Sequence, residues 1–498
     1  MNLGRSRDPY LKLSLIALGS VVVHGYHLGT DDAAIYVPAV KKAFDPQLYP
    51  YGAEFFEHHG RLSIFSSLVS GTAKLGHMPI DLAIFLWHIL GIFLITLAAW
   101  RLASLCFENA RARWSAVLVS AAVLTVPVAG TALVIMDPYL TARSLSTPAT
   151  MLAIASFMDS RWKQMLAWLA LTAVVHPQNA AYGIAFCILM ALPMQWLALS
   201  SEASPAFAMF ADRLPTGFDF TPAHGTYHDV LYMRTFFFAQ LWAWYEWIGV
   251  VAPMMILYWF SRITPRATLP GFRRVSRALI PFGILITLVF LIMCSTPRLE
   301  MFVRLQPMRG FLLVYILFFL LMGGLIGEYI LKNKTWRWIA LFVPLFTGMM
   351  LIQRNAYANS PHIEFPWKQP TNDWVKALYW IRGNTPKDAV FAVDPRYITL
   401  PEVDQHGFRA IAERSMLSDY YKDSGAVSLF PLLADEWAQE QKSQEGWRTF
   451  HVADFEKLAR EYPVTWVVVM TPSQSGMECP YHNNSVSVCR IPAASSTN

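Results

Sequence analysis

The sequence predicts a polytopic α-helical membrane protein with a small extracytoplasmic α/β domain at its C-terminus. Hydrophobic residues occupy 55% of the 498 positions and charged residues 15%, whereas soluble proteins carry about 25% charged residues. Apolar stretches recur through residues 1–354, and because each span needs about 20 residues, about nine to eleven spans fit. The chain becomes hydrophilic after Gln353, which predicts a folded domain outside the bilayer.

Composition divides the chain into three parts. Residues 1–354 form the predicted transmembrane domain, with a first extracytoplasmic loop at 29–79. Residues 355–370 form a linker stiffened by prolines. Residues 371–498 form the α/β domain, whose 12 Lys or Arg and 16 Asp or Glu give a net charge of −4. The remaining part carries +10, which fits cytoplasmic loops and lipid phosphates better than a nucleic-acid partner.

The first span, about residues 11–28, begins in the cytoplasm, because basic residues precede it and such residues stay inside. No small-residue cleavage site is recognisable, so we expect a retained span and not a removed signal peptide. The chain then leaves the bilayer at Asp31 and Asp32. Ionisable groups at a membrane boundary are costly unless exposed or paired, which makes the acidic pair a functional candidate. The alternative is a solvated loop that begins with two acids.

A second candidate is the external turn that follows the predicted spans at 80–103 and 114–136. This turn places Asp137 and Arg143 at the membrane surface, before the helix that returns to the cytoplasm. The next apolar stretch is interrupted at His176, because the proline that follows removes a backbone donor and ends or kinks the helix.

Two ways of counting the helices between residues 138 and 199 place the loop 200–234 on opposite sides of the membrane. Counted forward as full spans, they put the loop 200–234 in the cytoplasm. Counted back from the five arginines of residues 262–277, which mark a cytoplasmic loop, the same loop lies outside. The arginine cluster is the stronger signal. We therefore expect 200–234 outside, and one helix between 138 and 199 short or re-entrant.

The last spans lie at about 278–294, 311–331 and 338–352. An external loop between the first two holds Arg304 and Arg309. Basic residues before the last span hold its start in the cytoplasm, so that span delivers the C-terminal domain to the outside. The N-terminus is then cytoplasmic.

The C-terminal domain shows alternating helix and strand patterns. The predicted helices and strands, in chain order, are helix 371–382, strand 389–393, helix 454–461, strand 465–470 and strand 486–491. Cys479 and Cys489 are the cysteines of this domain, and the residues between them favour a turn. Because an extracytoplasmic compartment is oxidising, we expect a disulfide between them. The alternative is a pair of unbonded thiols.

The charges expected on the outer face suggest a chemistry. They include the acids Asp31, Asp32 and Asp137 and the bases Arg143, His176, Arg304 and Arg309. Arginine suits bidentate capture of phosphate, and a carboxylate can act as general base toward a hydroxyl. A substrate with a lipid tail, a phosphate and a group to transfer would need both. The alternative is that the arginines only anchor helices among lipid headgroups.

The sequence carries no nucleotide-binding or metal-binding signature. A glycine-rich phosphate loop followed by Lys and Ser or Thr is absent, as is a dinucleotide fingerprint. His58 and His59 are adjacent, so on a helix their side chains point apart, and His224 and His228 lie beside residues that break helices. We therefore assign no metal ligands and require no cofactor.

Four features together carry a family resemblance. They are the acidic pair Asp31 and Asp32 before a long amphipathic loop, residues 143–148 with His176 further on, residues 304–309 entering a late span, and residues 380–391 at the start of the C-terminal domain. In this layout the chain resembles bacterial integral-membrane glycosyltransferases of the GT-C superfamily, which take sugars from polyprenyl-phosphate donors outside the cytoplasmic membrane. The resemblance implies that a first-loop acid acts as base or metal ligand. That role falls on Asp31 or Asp32, so a divalent metal stays an option.

The resemblance implies a bacterial inner-membrane enzyme whose partners are a polyprenyl-phosphate-linked sugar, membrane lipids and a glycan, lipid or protein acceptor. Two other functions remain open. A transporter or flippase of a lipid-linked glycan would show charged or broken helices at mid-membrane, in two related halves. A non-catalytic envelope scaffold with the same fold would tolerate loss of the acidic pair.

Overall fold

The computed structural model describes residues 9–128, 130–131, 133–192, 222–472 and 476–492, and apolar helices dominate the part before residue 357. These helices are Pro9–His24, Ile80–Cys106, Ala110–Ala122, Ala142–Met158, Trp162–Val175, Pro177–Ala191, Trp244–Arg262, Pro270–Met293, Phe311–Leu325 and Thr335–Ala356. Four segments of the described chain are long and apolar enough to cross a bilayer: Ile80–Cys106, Pro270–Met293, Pro297–Leu331 and Thr335–Ala356. The prediction of a polytopic α-helical membrane protein is confirmed.

Small residues allow one close helix contact of the bundle. Ala110–Ala122 packs against Phe311–Leu325, and a Cβ atom placed on Gly323 would lie 3.0 Å from the Cα atom of Ala116. Small side chains at such crossings let two backbones approach, which gains packing energy where no water is present to drive association. The last helix, Thr335–Ala356, instead leaves most of its apolar surface exposed, as a helix in contact with lipid does.

The predicted span 114–136 is wrong. The helix begins at Ala110 and ends at Ala122, and a 3₁₀ turn at Val123–Thr125 leads to two short antiparallel strands, β1 (Pro127–Val128) and β2 (Leu133–Val134). Hydropathy depends only on how apolar the side chains are. It does not take into account that the proline of β1 has no N–H and cannot continue a helix. The chain therefore reaches Asp137 through an irregular segment and not at the end of a membrane helix.

The region with the topology conflict contains two short helices. Trp162–Val175 has 14 residues and Pro177–Ala191 has 15, and they meet at His176. Because a span needs about 20 residues, neither crosses a bilayer alone. Residues 193–221 lie outside the described residues, so the predicted loop 200–234 is described only from Pro222 onward, where a helix forms at Gly225–Tyr232.

The first loop forms a compact helical layer at one end of the bundle. Its helices are Ala33–Phe44, Glu54–Gly60 and Phe65–Leu75. The first and third pack on each other, and the ring of Tyr36 meets the ring of Phe65 edge-on with centroids 5.7 Å apart. This layer lies between the membrane helices and the C-terminal domain.

The C-terminal domain is an α/β fold around a five-stranded sheet, as predicted. Its strands are β3 (Val390–Val393), β4 (Ser415–Met416), β5 (Trp466–Met470), β6 (Glu478–His482) and β7 (Val486–Arg490). The spatial order is β4-β3-β5-β7-β6, with β3 parallel to β4 and β5, and the β5, β7 and β6 pairs antiparallel. The domain's helices are Asp373–Asn384, Phe408–Ala412, Lys422–Leu429, Ala434–Ser443 and Val452–Glu461. A disulfide joins Cys479 of β6 to Cys489 of β7.

The C-terminal domain is packed onto the first loop through buried ion pairs. The ammonium of Lys41, which is 1% exposed, lies 2.8 Å from Asp81 and 2.9 Å from Glu413 of the domain. Arg382 of the domain in turn lies 2.7 Å from Asp81. Breaking a buried pair leaves an uncompensated charge and costs about 3–5 kcal/mol. These contacts therefore fix the domain relative to the membrane helices.

The residues between the last membrane helix and the domain are also packed. Within the predicted linker 355–370, Ile363 pairs with Tyr26 in a parallel bridge, and the Glu364 N–H donates to the Tyr26 carbonyl at 2.8 Å. Glu364 itself is mostly buried, with 16% of its side chain exposed. The segment therefore packs beside the end of the first helix and does not act as a spacer between two separate domains.

Candidate active site

The acidic pair is positioned by the C-terminal domain. The Asp31 N–H donates to the Gln405 carbonyl at 3.1 Å, and the Gly407 N–H donates to the Gly29 carbonyl at 2.9 Å. Gly29 has φ of +70°, and a Cβ atom there would lie 2.5 Å from the Cβ of Ala410. Only glycine allows the loop to approach the domain so closely. The domain therefore holds the loop from which both carboxylates project.

Asp32 and Asp137 share one arginine. The Nη2 of Arg143 lies 2.8 Å from Oδ2 of Asp32 and 2.9 Å from Oδ2 of Asp137. The helix that carries Arg143 begins with a capping box between Thr141 and Ser144, which fixes the first turn. Arg143 and Asp137 are each 5% exposed. The structure thus brings together three of the residues selected from the sequence.

Asp31 has different partners. The Tyr139 hydroxyl donates to its Oδ2 at 2.9 Å, and the ammonium of Lys422 forms an ion pair with its Oδ1. The same ammonium lies 3.9 Å from Oδ1 of Asp32. Lys422 begins a helix of the C-terminal domain. The domain therefore supplies a charged group to the site as well as holding the loop.

A cavity of about 180 Å³ opens beside the acidic pair. Its polar lining comes from the first loop, the start of the Ala142–Met158 helix, the segment around Arg234, the turn Pro307–Gly310 with the residue before it, and the C-terminal domain. It includes Asp31, Asp32, Tyr36, His59, Arg143, Arg234, Gln306, Arg309, Tyr421 and Lys422. Its apolar lining includes Ile35, Leu133, Phe236, Phe237, Ala426 and Leu429. Charged residues and apolar residues thus meet in one site.

Arg309 is a cation of this cavity that has no anionic partner among the described residues. It stands in a short 3₁₀ turn, Pro307–Gly310, after Gln306, whose φ is +49°. In the described part of the chain Arg309 makes no ion pair, and its buried Nε has no hydrogen-bond partner. Arg234 is also incompletely satisfied, since its Nη2 donates to Ser424 at 2.8 Å but its Nε has no partner. Buried donors without acceptors are rare, so both side chains are suited to an anionic ligand.

The charge balance of the cavity is positive. Arg143, Arg234, Arg309 and Lys422 line it against Asp31 and Asp32. Burial alone would raise the pKa of the Asp32 carboxyl, but the positive charges of Arg143, Lys422 and Arg309 hold that pKa below its usual range. Burial, assisted by the charge of Arg309, lowers the pKa of His59 to about 4, so His59 is neutral near pH 7. With Asp137, which shares Arg143, three carboxylates face four cations, and the remaining positive charge favours an anionic ligand such as a phosphate.

Two residues selected from the sequence lie elsewhere. Arg304 occurs in the same loop as Arg309, but its Nη1 lies 3.4 Å from the Leu429 carbonyl, and it does not line the cavity. His176 caps the Pro177–Ala191 helix by accepting the Asn179 N–H at 3.4 Å, and it also lies outside the lining. The expected substrate-binding role of these two residues therefore lacks a geometric basis.

Several lining residues have no signal in the sequence. Lys422, Tyr421 and Arg234 come from segments with no recognisable motif, and their role follows only from the fold. A second cluster was also missed. His27, Glu364 and His406 place one potential metal-ligand atom each within 4.8 Å of one another, although the sequence led us to assign no metal ligands. These residues come from the segment between the first helix and the first loop, the linker and the C-terminal domain.

Comparison with protein families matches one model, a domain of unknown function named DUF6798, to residues 372–445. That range contains His406 and Lys422. No curated protein matches the sequence.

The solved structures that this chain resembles include an archaeal oligosaccharyltransferase and two states of a second protein. The archaeal oligosaccharyltransferase AglB from Archaeoglobus fulgidus, in complex with an inhibitory peptide and a dolichol-phosphate, is 14% identical with a TM-score of 0.43, and the alignment covers 93% of this chain and 69% of that one. ArnT from Cupriavidus metallidurans bound to undecaprenyl phosphate is 15% identical with a TM-score of 0.38, over 97% and 98% of the two chains. Its apo state is 14% identical with a TM-score of 0.36, over 97% of each chain.

Proposed function

We propose that the protein is a membrane glycosyltransferase that moves a sugar from a polyprenyl-phosphate-linked donor to a hydroxyl acceptor on the outer face of the bacterial cytoplasmic membrane. The observation that carries the proposal is the cavity in which a carboxylate, Asp31, lies with Arg309, an arginine whose buried Nε has no hydrogen-bond partner among the described residues. The resemblance to GT-C enzymes noted in the sequence agrees with this assignment.

The donor phosphate occupies the cationic side of the cavity. Arg309 and Arg234 have unsatisfied donors there, and charge-assisted hydrogen bonds to phosphate are among the strongest that side chains form. Arg143 contributes positive charge while it stays bound to Asp32 and Asp137. The phosphodiester of the donor carries one negative charge and the lipid phosphate that leaves carries about two, so the excess of cations favours the leaving group.

The apolar lining accommodates the start of the prenyl chain. Leu133, Phe236, Phe237 and Leu429 border the cavity. These side chains offer a lipid tail apolar surface beside the phosphate. A free nucleotide sugar would leave these side chains without an apolar partner.

Asp31 acts as the general base. Asp32 is bound to Arg143 and its pKa is held low, so it accepts a proton poorly and instead orients the arginine. The acceptor oxygen attacks the anomeric carbon and its proton passes to the Asp31 carboxylate. The bond between the anomeric carbon and the phosphate oxygen breaks, and its electron pair stays on the phosphate. Direct displacement of this kind inverts the configuration at the sugar.

The test uses purified protein in detergent. Detergent solution has no separate compartments, so transport gives no signal there and only transfer is measured. The probes are undecaprenyl phosphate, for binding, and undecaprenyl-phosphate-linked sugars with an isotopic label, for transfer. The proposal expects binding of undecaprenyl phosphate and acceptor-dependent release of it from at least one donor. Binding without release from any donor, in a panel of hexose and pentose donors offered with envelope glycans and lipids, would contradict it and favour a transporter or scaffold.

A further inference from the structure

A cluster of two histidines and a glutamate lies apart from the lining of the proposed active site. His27 and His406 are fully buried, and Glu364 is 16% exposed. The Nε2 of His406 lies 2.8 Å from Oε1 of Glu364, and the Nδ1 of His27 lies 3.4 Å from the same oxygen. Three separate segments of the chain thus converge on one carboxylate oxygen.

Neighbouring backbone groups orient this cluster. The Nδ1 of His406 lies 2.7 Å from the Val403 carbonyl, which can only accept, so Nδ1 carries the hydrogen and Nε2 points to Glu364. The Leu28 N–H donates to Oε2 of Glu364 at 3.0 Å, which leaves Oε1 for another partner. Histidine ligands of metals are usually held in this way, with the other ring nitrogen bonded to a carbonyl or carboxylate.

The hydrogen bonds of the described residues leave His27 unsatisfied. The Nδ1 of His27 faces Oε1 of Glu364 at 3.4 Å, which is long for a hydrogen bond. The ring is stacked on Tyr357, with centroids 3.9 Å apart, so packing fixes its plane. A simple ion pair between His406 and Glu364 accounts for two members of the cluster and gives no role to His27.

The spacing fits a tetrahedral metal site. At bond lengths of about 2.0–2.1 Å, ligand atoms of a tetrahedral zinc ion lie about 3.3 Å apart. Here one pair is 2.8 Å apart, another is 3.4 Å apart, and all three ligand atoms lie within 4.8 Å of one another. Two imidazoles and a carboxylate are ligands that suit zinc, whereas magnesium and calcium prefer oxygen alone.

We propose that His27, Glu364 and His406 bind a divalent transition-metal ion, with Zn²⁺ the best match. The ion ties the segment just before the first loop, the linker segment and the C-terminal domain together. Its place is next to the bridge between Thr30 and His406 and the hydrogen bond from Asp31 to Gln405, so it stabilises the loop that carries the acidic pair. This inference does not rest on the proposed function, because its readouts are metal content and stability.

The experiment measures metal in the full-length protein, purified in detergent without chelators and with a nickel-free affinity tag. After loading with Zn²⁺ and removal of loosely bound ions, elemental analysis should find about one zinc per chain. His27→Ala, Glu364→Gln and His406→Ala should each lose most of it. His451→Ala is the matched control, since His451 is 79% exposed on the same domain, and it should keep the metal.

The wild-type protein gives a second readout that does not depend on folded variants. A strong chelator should lower its thermal unfolding temperature by several degrees, and Zn²⁺ should restore it. Loading with Co²⁺ in place of zinc should give the visible absorption of a four-coordinate ion. A wild-type protein that retains no zinc after loading, or variants that retain as much as the wild type, would overturn the proposal and leave a buried ion pair.

Discussion

Lys422 of the C-terminal domain forms an ion pair with Asp31 of the first loop, across 391 positions of sequence. The same ammonium lies 3.9 Å from Asp32. The candidate site is therefore completed only when the domain is docked on the membrane helices. In the proposed reaction Lys422 limits the repulsion between the two carboxylates and the donor phosphate, and gives up part of its contact with Asp31 when the acceptor binds.

The first prediction concerns this lysine. Lys422→Ala removes one of the cations that line the cavity, and should weaken binding of undecaprenyl phosphate about tenfold, which corresponds to 1.4 kcal/mol. The matched control is Lys442→Ala, an exposed lysine of the same domain that should leave the affinity unchanged. An equal affinity in both variants would mean that Lys422 only neutralises the acidic pair. The measurement is a titration of the lipid into purified protein.

The second prediction separates Arg309 from Arg143. Arg309→Ala should weaken undecaprenyl phosphate binding about tenfold or more with little change in thermal stability, because Arg309 has no ion pair to lose. Arg337→Ala, predicted to face the cytoplasm, is the control and should change neither property. If Arg309→Ala behaves like Arg337→Ala, the arginine only anchors the loop among lipid headgroups.

Arg143→Ala should instead lower stability as well as binding, which is the third prediction. Its removal leaves Asp137, 5% exposed, without its cation, and breaking a buried pair costs about 3–5 kcal/mol. The unfolding temperature in detergent should fall by several degrees. An unchanged unfolding temperature would show that Asp137 is neutral or solvated in the folded protein.

The fourth prediction concerns pH and His59. The pKa of this histidine is lowered to about 4 in the folded protein, below its value of about 6.5 in the unfolded chain. The unfolded chain therefore binds the proton first, and folding stability falls as the pH drops from about 6.5 toward 4. His59→Gln should remove this part of the pH dependence. Parallel stability profiles of wild type and variant over that range would contradict the burial of a neutral His59.

The fifth prediction concerns the disulfide and the side of the membrane. In a chain whose Cys106, Cys187 and Cys294 are replaced by serine, a membrane-impermeant thiol reagent should label intact cells only after reduction. This result is expected because Cys479 and Cys489 are bonded and the domain is predicted to lie outside. Labelling without reductant would exclude the disulfide. A lack of labelling after both reduction and unfolding would place the domain in the cytoplasm.

Sequence patterns identified the residues whose chemistry is unusual for their local position. Asp31, Asp32 and Arg143 are ionisable groups at the edges of apolar stretches, and the structure brings them together. Hydropathy failed for residues 114–136, because it counts apolar side chains and ignores the backbone restriction of Pro127. Hydropathy also could not show which of Arg304 and Arg309 lines the cavity, because that depends on the rotation of a 3₁₀ turn.

Residues that act across the fold left no local signal. Glu364 and His406 are 42 positions apart, and His27 is 337 positions from Glu364, so no spacing rule for metal ligands applies. Lys422 is likewise an ordinary lysine in its own segment. Only the docking of the C-terminal domain onto the first loop gives these side chains their neighbours.

The central claim is that Asp31 is the base of a glycosyl transfer. The most direct test compares the turnover of Asp31→Asn and Asp32→Asn with that of the wild type. All three proteins are given the same labelled undecaprenyl-phosphate-linked sugar and its acceptor. Loss of a general base costs about 10²–10⁴-fold in rate, so Asp31→Asn should lose that much while still binding undecaprenyl phosphate. Asp32→Asn should lose donor affinity more than turnover at saturation. Full activity of Asp31→Asn at wild-type expression would contradict the account.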